Sequence, residues 1–175
     1  MNRLEETILY VLSRAKQRGK DNLSKFELFK FIYLLEVESR KFTGRSFFSN
    51  DVVFVRQKNG PISVDIYDAL NNLDNKYIRI SQRKKEDYPY ARHCLSLIKE
   101  KKTYNLEESE MMFINSILES YLPLSIKKLK NIVYKTEPML DIQDKEKETN
   151  QDMNGRPLDF NTISLDKDVV DLIAN

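Results

Sequence analysis

His93 and Cys94 are the single histidine and the single cysteine of the chain. An imidazole beside a thiol can activate a cysteine nucleophile, provided the two side chains meet in space. Here they are neighbours in the apolar stretch HCLSLI, which reads as a strand. Adjacent strand residues point to opposite faces, so the pair is expected to do no chemistry, leaving His93 structural or an ordinary surface residue. Structural zinc takes about four nitrogen or sulfur ligands, and this chain supplies two. The pairs Glu36/Glu38 and Glu107/Glu108 fit helix surfaces and helix starts, where carboxylates are at home. There is no GxGxxG, P-loop or GxSxG pattern, and four glycines leave little material for a phosphate cradle. The expectation is a protein that is not an enzyme, with no catalytic residue, cofactor or metal.

Charge and aromatic residues point instead to binding. Residues 78–102 carry Arg79, Arg83, Lys84, Lys85, Arg92, Lys99, Lys101 and Lys102 against Glu86, Asp87 and Glu100, with Tyr88 and Tyr90 interleaved. A helix followed by a basic hairpin is the outline of a winged helix, whose wing touches phosphate. Arg83, Lys84 and Lys85 would be the contacts. The reader would be the helix at SVDIYDALNNL, which holds two Asp and no Lys or Arg, a poor match to a negatively charged groove. Residues 136–175 hold ten carboxylates and four cations, a net of −6, which leaves +8 for the rest of the chain. Such a basic body attracts acidic partners, and an acidic tail can shield it. Phe26, Phe29, Phe31, Tyr33, Phe42, Phe47, Phe48 and Phe54 crowd into one third of the chain. Most of the helical ones read as core, while the Phe47-Phe48 pair falls in a loop where one ring is expected to be available to a partner.

The elements that position these residues follow from periodicity and punctuation. Leu4, Ile8, Val11 and Leu12 recur at helical spacing, giving a helix over 3–17 that Gly19 caps. Ser24 with Glu27 three residues on forms a capping box for a second helix, which runs to about Phe42 and stops at Thr43-Gly44. DVVFVRQ, 51–57, reads as a short strand. Asn59-Gly60-Pro61 breaks it, and Pro61 fits the first turn of a helix over 63–73. Two strands at 77–81 and 93–98 flank a hairpin loop containing Pro89. Asn105 or Thr103 caps a helix from about Glu107 to Pro123. Ser125 caps the next, which Pro138 ends. Residues 141–160 read as a mobile acidic loop, and Ser164 caps a terminal helix over 165–174.

At 175 residues, 41% hydrophobic and 32% charged, the chain fits one globular domain, residues 1–175. The expected class is α+β, mainly helical: about six helices, a short strand and a small β-hairpin. No apolar run reaches the ~18 residues of a membrane helix, and the amphipathic N-terminus lacks a cleavage site. A lone cysteine suits the cytoplasm.

One stretch carries a family signal. Lys30-Phe31-Ile32-Tyr33-Leu34, then Gly44, then Gly60-Pro61-Ile62, then Ile66-Tyr67 resemble the landmarks of the Panacea domain, found in antitoxins of bacterial and phage toxin–antitoxin operons. A second landmark, Leu129 to Met139, is similar to a later family helix, with Tyr134 where His is usual and Met139 where Trp or another aromatic is usual. The resemblance implies an antitoxin that neutralises a cognate toxin encoded nearby by direct complex formation. It also implies a possible second partner, a AAA+ protease, for a member acting as adaptor or as a phage host-modulating protein. Lys30, Tyr33, Gly44, Gly60, Pro61 and Tyr67 are its motif residues here. The Gly60-Pro61 corner would be the scaffold on which Arg45, Phe47, Phe48, Arg56 and Lys58 meet the partner. The alternative is a winged-helix-like nucleic-acid-binding regulator.

Overall fold

A computed structural model describes residues 1–84 and 92–174. Helix α1, Arg3–Gln17, opens with a capping box in which the Asn2 side chain accepts from Glu5 N and the Glu5 carboxylate takes Asn2 N. Its C-cap is Arg18, with Gly19 following at positive φ. Strand β1, Leu23–Ser24, leads directly into α2, Lys25–Thr43. Ser24 and Glu27 form the reciprocal box there, and Gly44 closes the helix at φ +69. Helix α3 is Val64–Leu73. Strands β2, Ile78–Arg83, and β3, Arg92–Leu97, pair antiparallel, and β1 joins the far side of β3 to give the order β1-β3-β2. Helices α4, Glu108–Tyr121, α5, Ile126–Tyr134, α6, Glu137–Thr149, and α7, Lys167–Ala174, complete the chain. The class is α+β and mainly helical. Among the described residues no helix is long and apolar enough to cross a membrane.

Helix α2 is the axis of the fold. Every residue from Glu27 to Val37 is buried. Its apolar positions pack with α1, α3, α4, α5 and the sheet into one core that holds Ile8, Leu35, Phe54, Ile66, Leu95, Ile114 and Val133. A helix apolar on more than one face is one enclosed by neighbours, and α2 is enclosed.

Several sequence expectations need correction. DVVFVRQ is extended but is no strand: Val55 alone bridges, to Ile62 on one side and Pro157 on the other. On the Ile62 side the chain reverses at once, Gly60 N bonding back to Gln57 O at 3.0 Å, so the pairing there ends in a tight turn rather than a ladder. Pro61 itself lies before α3 rather than inside its first turn, and Ser63 is the N-cap. The cap of α4 is Glu107, which exchanges bonds with Glu110, not Asn105 or Thr103. Pro138 does not end a helix. It sits in the first turn of α6, where a missing amide hydrogen costs nothing, and the acidic segment continues as helix because Met139 and Ile142 bury against the core. The stretch expected as a mobile loop over 141–160 is therefore helical to Thr149, and beyond that it is laced to residues 54–56. Arg56 N donates to Arg156 O at 2.8 Å and Leu158 N to Phe54 O at 2.9 Å. At the start of α7 the side chain accepting the amide of Asp168 is Asp166, not Ser164. The hairpin loop with Lys85, Tyr88, Pro89 and Tyr90 lies outside the described residues.

Candidate functional site: a basic cleft at the Gly60-Pro61 corner

The motif residues are brought together by long-range bonds that no local pattern announces. Lys30 is 1% exposed, on the inner side of α2. Its Nζ donates to the Asn59 carbonyl at 3.1 Å and stands 3.0 Å from the centroid of the Phe26 ring. One turn on, the Tyr33 hydroxyl meets Thr136 Oγ1 at 2.7 Å, so the first helix of the motif is bolted to the junction of α5 and α6. Burial pushes the Tyr33 phenol above its ordinary range, so it stays a neutral hydroxyl. Tyr134 donates to the Lys58 carbonyl and accepts from Arg56 Nη1. The turn at 57–60 is thus held from below by Lys30 and from the side by Tyr134.

Gly60 is required there for two reasons. Its φ of +113 is a conformation that side chains resist, and a Cβ would come 3.3 Å from Lys30 Nζ and 3.7 Å from Tyr134 Cε2. The Gly60→Ala variant is expected to lose about 2 kcal/mol, which for a chain of this size lowers the melting temperature by about 4–8 °C. A thermal melt showing no change would mean the turn relaxes freely.

The corner borders a half-open cleft of about 390 Å³. Phe26, Phe29, Pro61, Ile62 and Tyr67 form its apolar wall, and Lys25, Lys30, Lys58 and Arg92 supply cations. Among the described residues no Asp or Glu lines it. His93 lines it too, its Nε2 3.0 Å from Gln82 Nε2, while Cys94 is buried on the other face of β3, in register with Ser24 and Ser81. The two neighbours do point to opposite faces. Burial brings the Lys30 pKa down to about 7, and the Lys130 ammonium adds to the drop against the opposing pull of Glu27. A buried ammonium next to other cations sheds its proton more easily.

The residues expected to meet the partner are not gathered in one place. Phe47 and Phe48 are 5% and 3% exposed, and neither is available to a partner. Their amides donate to the Glu36 carboxylate at 2.9 and 3.3 Å, and the Phe47 ring takes Arg3 on one face and stacks on Phe113. That anchor is six residues along α2 from Lys30, about 9 Å further down the helix. Arg45 is exposed at that far end. Arg56 is tied to Glu146 at 3.1 Å, which holds α6 against the corner. Lys58 is the one of the five that is both exposed and at the cleft. Arg83 and Lys84 are exposed on the hairpin, and Lys85 lies outside the described residues. Reasoning from sequence missed Lys25, Arg92 and His93 as cleft residues. The pairing of β1 with β3 is what carries β3 beside the start of α2.

Residues 28–138 match the family model of the antitoxin SocA-like Panacea domain. The chain belongs to this family. The match spans all six motif residues and ends at Pro138 in the first turn of α6, so the rest of α6 and all of α7 lie beyond it. No curated protein matches the chain. Within the Panacea domain the two landmarks are sides of one structure: the Lys30–Tyr33 turn of α2 and the Tyr134–Thr136 segment clasp the Gly60-Pro61 corner between them.

Proposed function

We propose that this Panacea protein is a non-enzymatic antitoxin that neutralises a cognate toxin, encoded nearby, by forming a direct complex. One observation carries the reading beyond family membership. The corner that the motif builds displays large apolar side chains to solvent: Val53 is 53% exposed, Val64 65% and Tyr67 39%. The amide of Val53 donates to Asp65 Oδ2 at 2.9 Å, which ties the extended segment to the start of α3 and keeps Val53 and Val64 at one site. Exposed apolar and aromatic residues on a rigid scaffold are what protein interfaces use as anchors. The winged-helix-like alternative needs α3 as its reader, and α3 carries Asp65 and Asp68 with no cation to offset them, so protein recognition is the reading adopted.

The test is co-purification with the product of the adjacent gene. A one-to-one complex is expected. Val64→Glu places a charge in the centre of the apolar corner without touching the core, and is expected to weaken the complex by about 30-fold or more. An unchanged affinity would move the interface off this corner. Failure of the wild-type protein to bind would remove the reading itself.

A further inference from the structure

The cleft beside the corner combines several cations with aromatic rings. Among the described residues its cations have no carboxylate partner. Lys25, Lys30, Lys58 and Arg92 line it with no facing carboxylate among the described residues. Lys30 is the telling one. An ammonium has three donors, and at 1% exposure this one spends a single bond on a backbone carbonyl and leans on a ring face. Buried lysines are ordinarily matched by a carboxylate, because an ammonium taken out of water without one is costly. The bond to the Asn59 carbonyl holds the turn but uses only one of the three donors of this ammonium.

The shape adds a second requirement. A water molecule takes about 30 Å³, so an inorganic phosphate or a single carboxylate would leave most of a 390 Å³ cleft unfilled. The volume is that of a small organic ligand. Part of its wall is aromatic: Phe29 and Tyr67 lie 4.8 Å apart with rings tilted by 51°, Lys25 Nζ stands 5.4 Å from the Tyr67 ring centroid, and Tyr67 is open to solvent while Phe29 is buried. Such rings accept any flat base or ring by stacking, with little regard to its identity. We propose that the cleft is a binding site for a small organic phosphate, a phosphomonoester carried on a flat ring, as in a nucleoside monophosphate. The phosphate oxygens take the remaining donors of Lys30 together with Lys58 and Arg92, and the ring lies along Tyr67 and Phe29. Phosphate suits this site better than carboxylate because a dianion with three terminal oxygens answers several cations at once. The proposal does not rest on toxin binding, and either can fail alone.

Calorimetric titration of the full chain at fixed ionic strength decides it. The probes are adenosine 5′-monophosphate, adenosine, inorganic phosphate and a 5′-phosphorylated trinucleotide. The monophosphate is expected to bind at least about 10-fold tighter than adenosine or phosphate alone. The trinucleotide separates two sources of the same chemistry: tighter binding assigns the site to a nucleic-acid end, weaker binding to a free nucleotide. Lys30→Met, checked for folding by circular dichroism, is expected to lose at least about 10-fold. Lys58→Gln changes only an exposed side chain, so it keeps the test decisive should Lys30→Met misfold, and the same loss is expected of it. Lys102→Gln, on another surface, is expected to change nothing. Adenosine binding as tightly as its monophosphate, phosphate binding as tightly as the nucleotide, or indifference to both cleft variants would each overturn the proposal.

Discussion

Replacing Lys30 with Met is expected to stabilise the protein by several kcal/mol at about pH 6. The side chain is buried and its pKa falls from 10.5 to about 7. Below about pH 7 both the folded and the unfolded chain hold the proton, and the folded state carries the full cost of the buried charge. Between about pH 7 and 10.5 the unfolded state binds the proton and the folded state does not, so wild-type stability climbs with pH across that window. The shift corresponds to a total climb on the order of 5 kcal/mol, at about 1.4 kcal/mol per pKa unit. The Met variant lacks that climb. Its advantage is therefore largest at about pH 6 and shrinks as pH rises. Urea unfolding of both proteins at several pH values reads this directly. A Met variant less stable than wild type at about pH 6 would show that Lys30 is a structural strut. A residue kept at the expense of stability is one kept for binding, which is the behaviour expected of a functional site.

The opposite outcome is expected at Glu36. Its carboxylate is 2% exposed and accepts from Phe47 N, Phe48 N and Arg40 Nε, the last at 2.7 Å. Glu36→Ala strands two buried amides and a half-buried guanidinium at once. Breaking a buried, hydrogen-bonded pair from one side costs about 3–5 kcal/mol, because the groups left behind have lost water and gained nothing. The urea midpoint is expected to fall by more than about 1 M. The fluorescence or proteolysis of the 44–51 loop should change in parallel, since the carboxylate is what pins it to α2. A loss under about 1 kcal/mol would mean water reaches the Phe47 and Phe48 amides and the loop is held by its rings alone.

These two glutamate and lysine positions mark where sequence reading succeeds and where it stops. The Ser24–Glu27 box and the Gly44 stop are local chemistry, and α2 was legible from them to within a residue. The mostly helical class with a small sheet followed from the same kind of signal. Phe47 and Phe48 look available because loops are usually exposed, but the acceptor that buries them is eleven residues away on another element. The helix α6 was hidden by Pro138, which stops a helix from inside but starts one in its first turn, and the choice between the two is made by the burial of Met139 and Ile142. Strand β1 is two residues long and carries no pattern of its own, yet its pairing brings Arg92 and His93 to the cleft. Lys30, Gly60, Pro61 and Tyr67 were visible as motif positions. That they border one basic cleft required the tertiary contacts.

Neutralisation by contact is tested most directly by co-expression growth rescue. The toxin of the adjacent gene is induced alone, with the wild-type protein, and with Val64→Glu. The expected result is arrest by the toxin alone, full growth with the wild-type protein and arrest again with the variant at equal, folded abundance. Continued arrest in the presence of abundant, folded wild-type protein would contradict it.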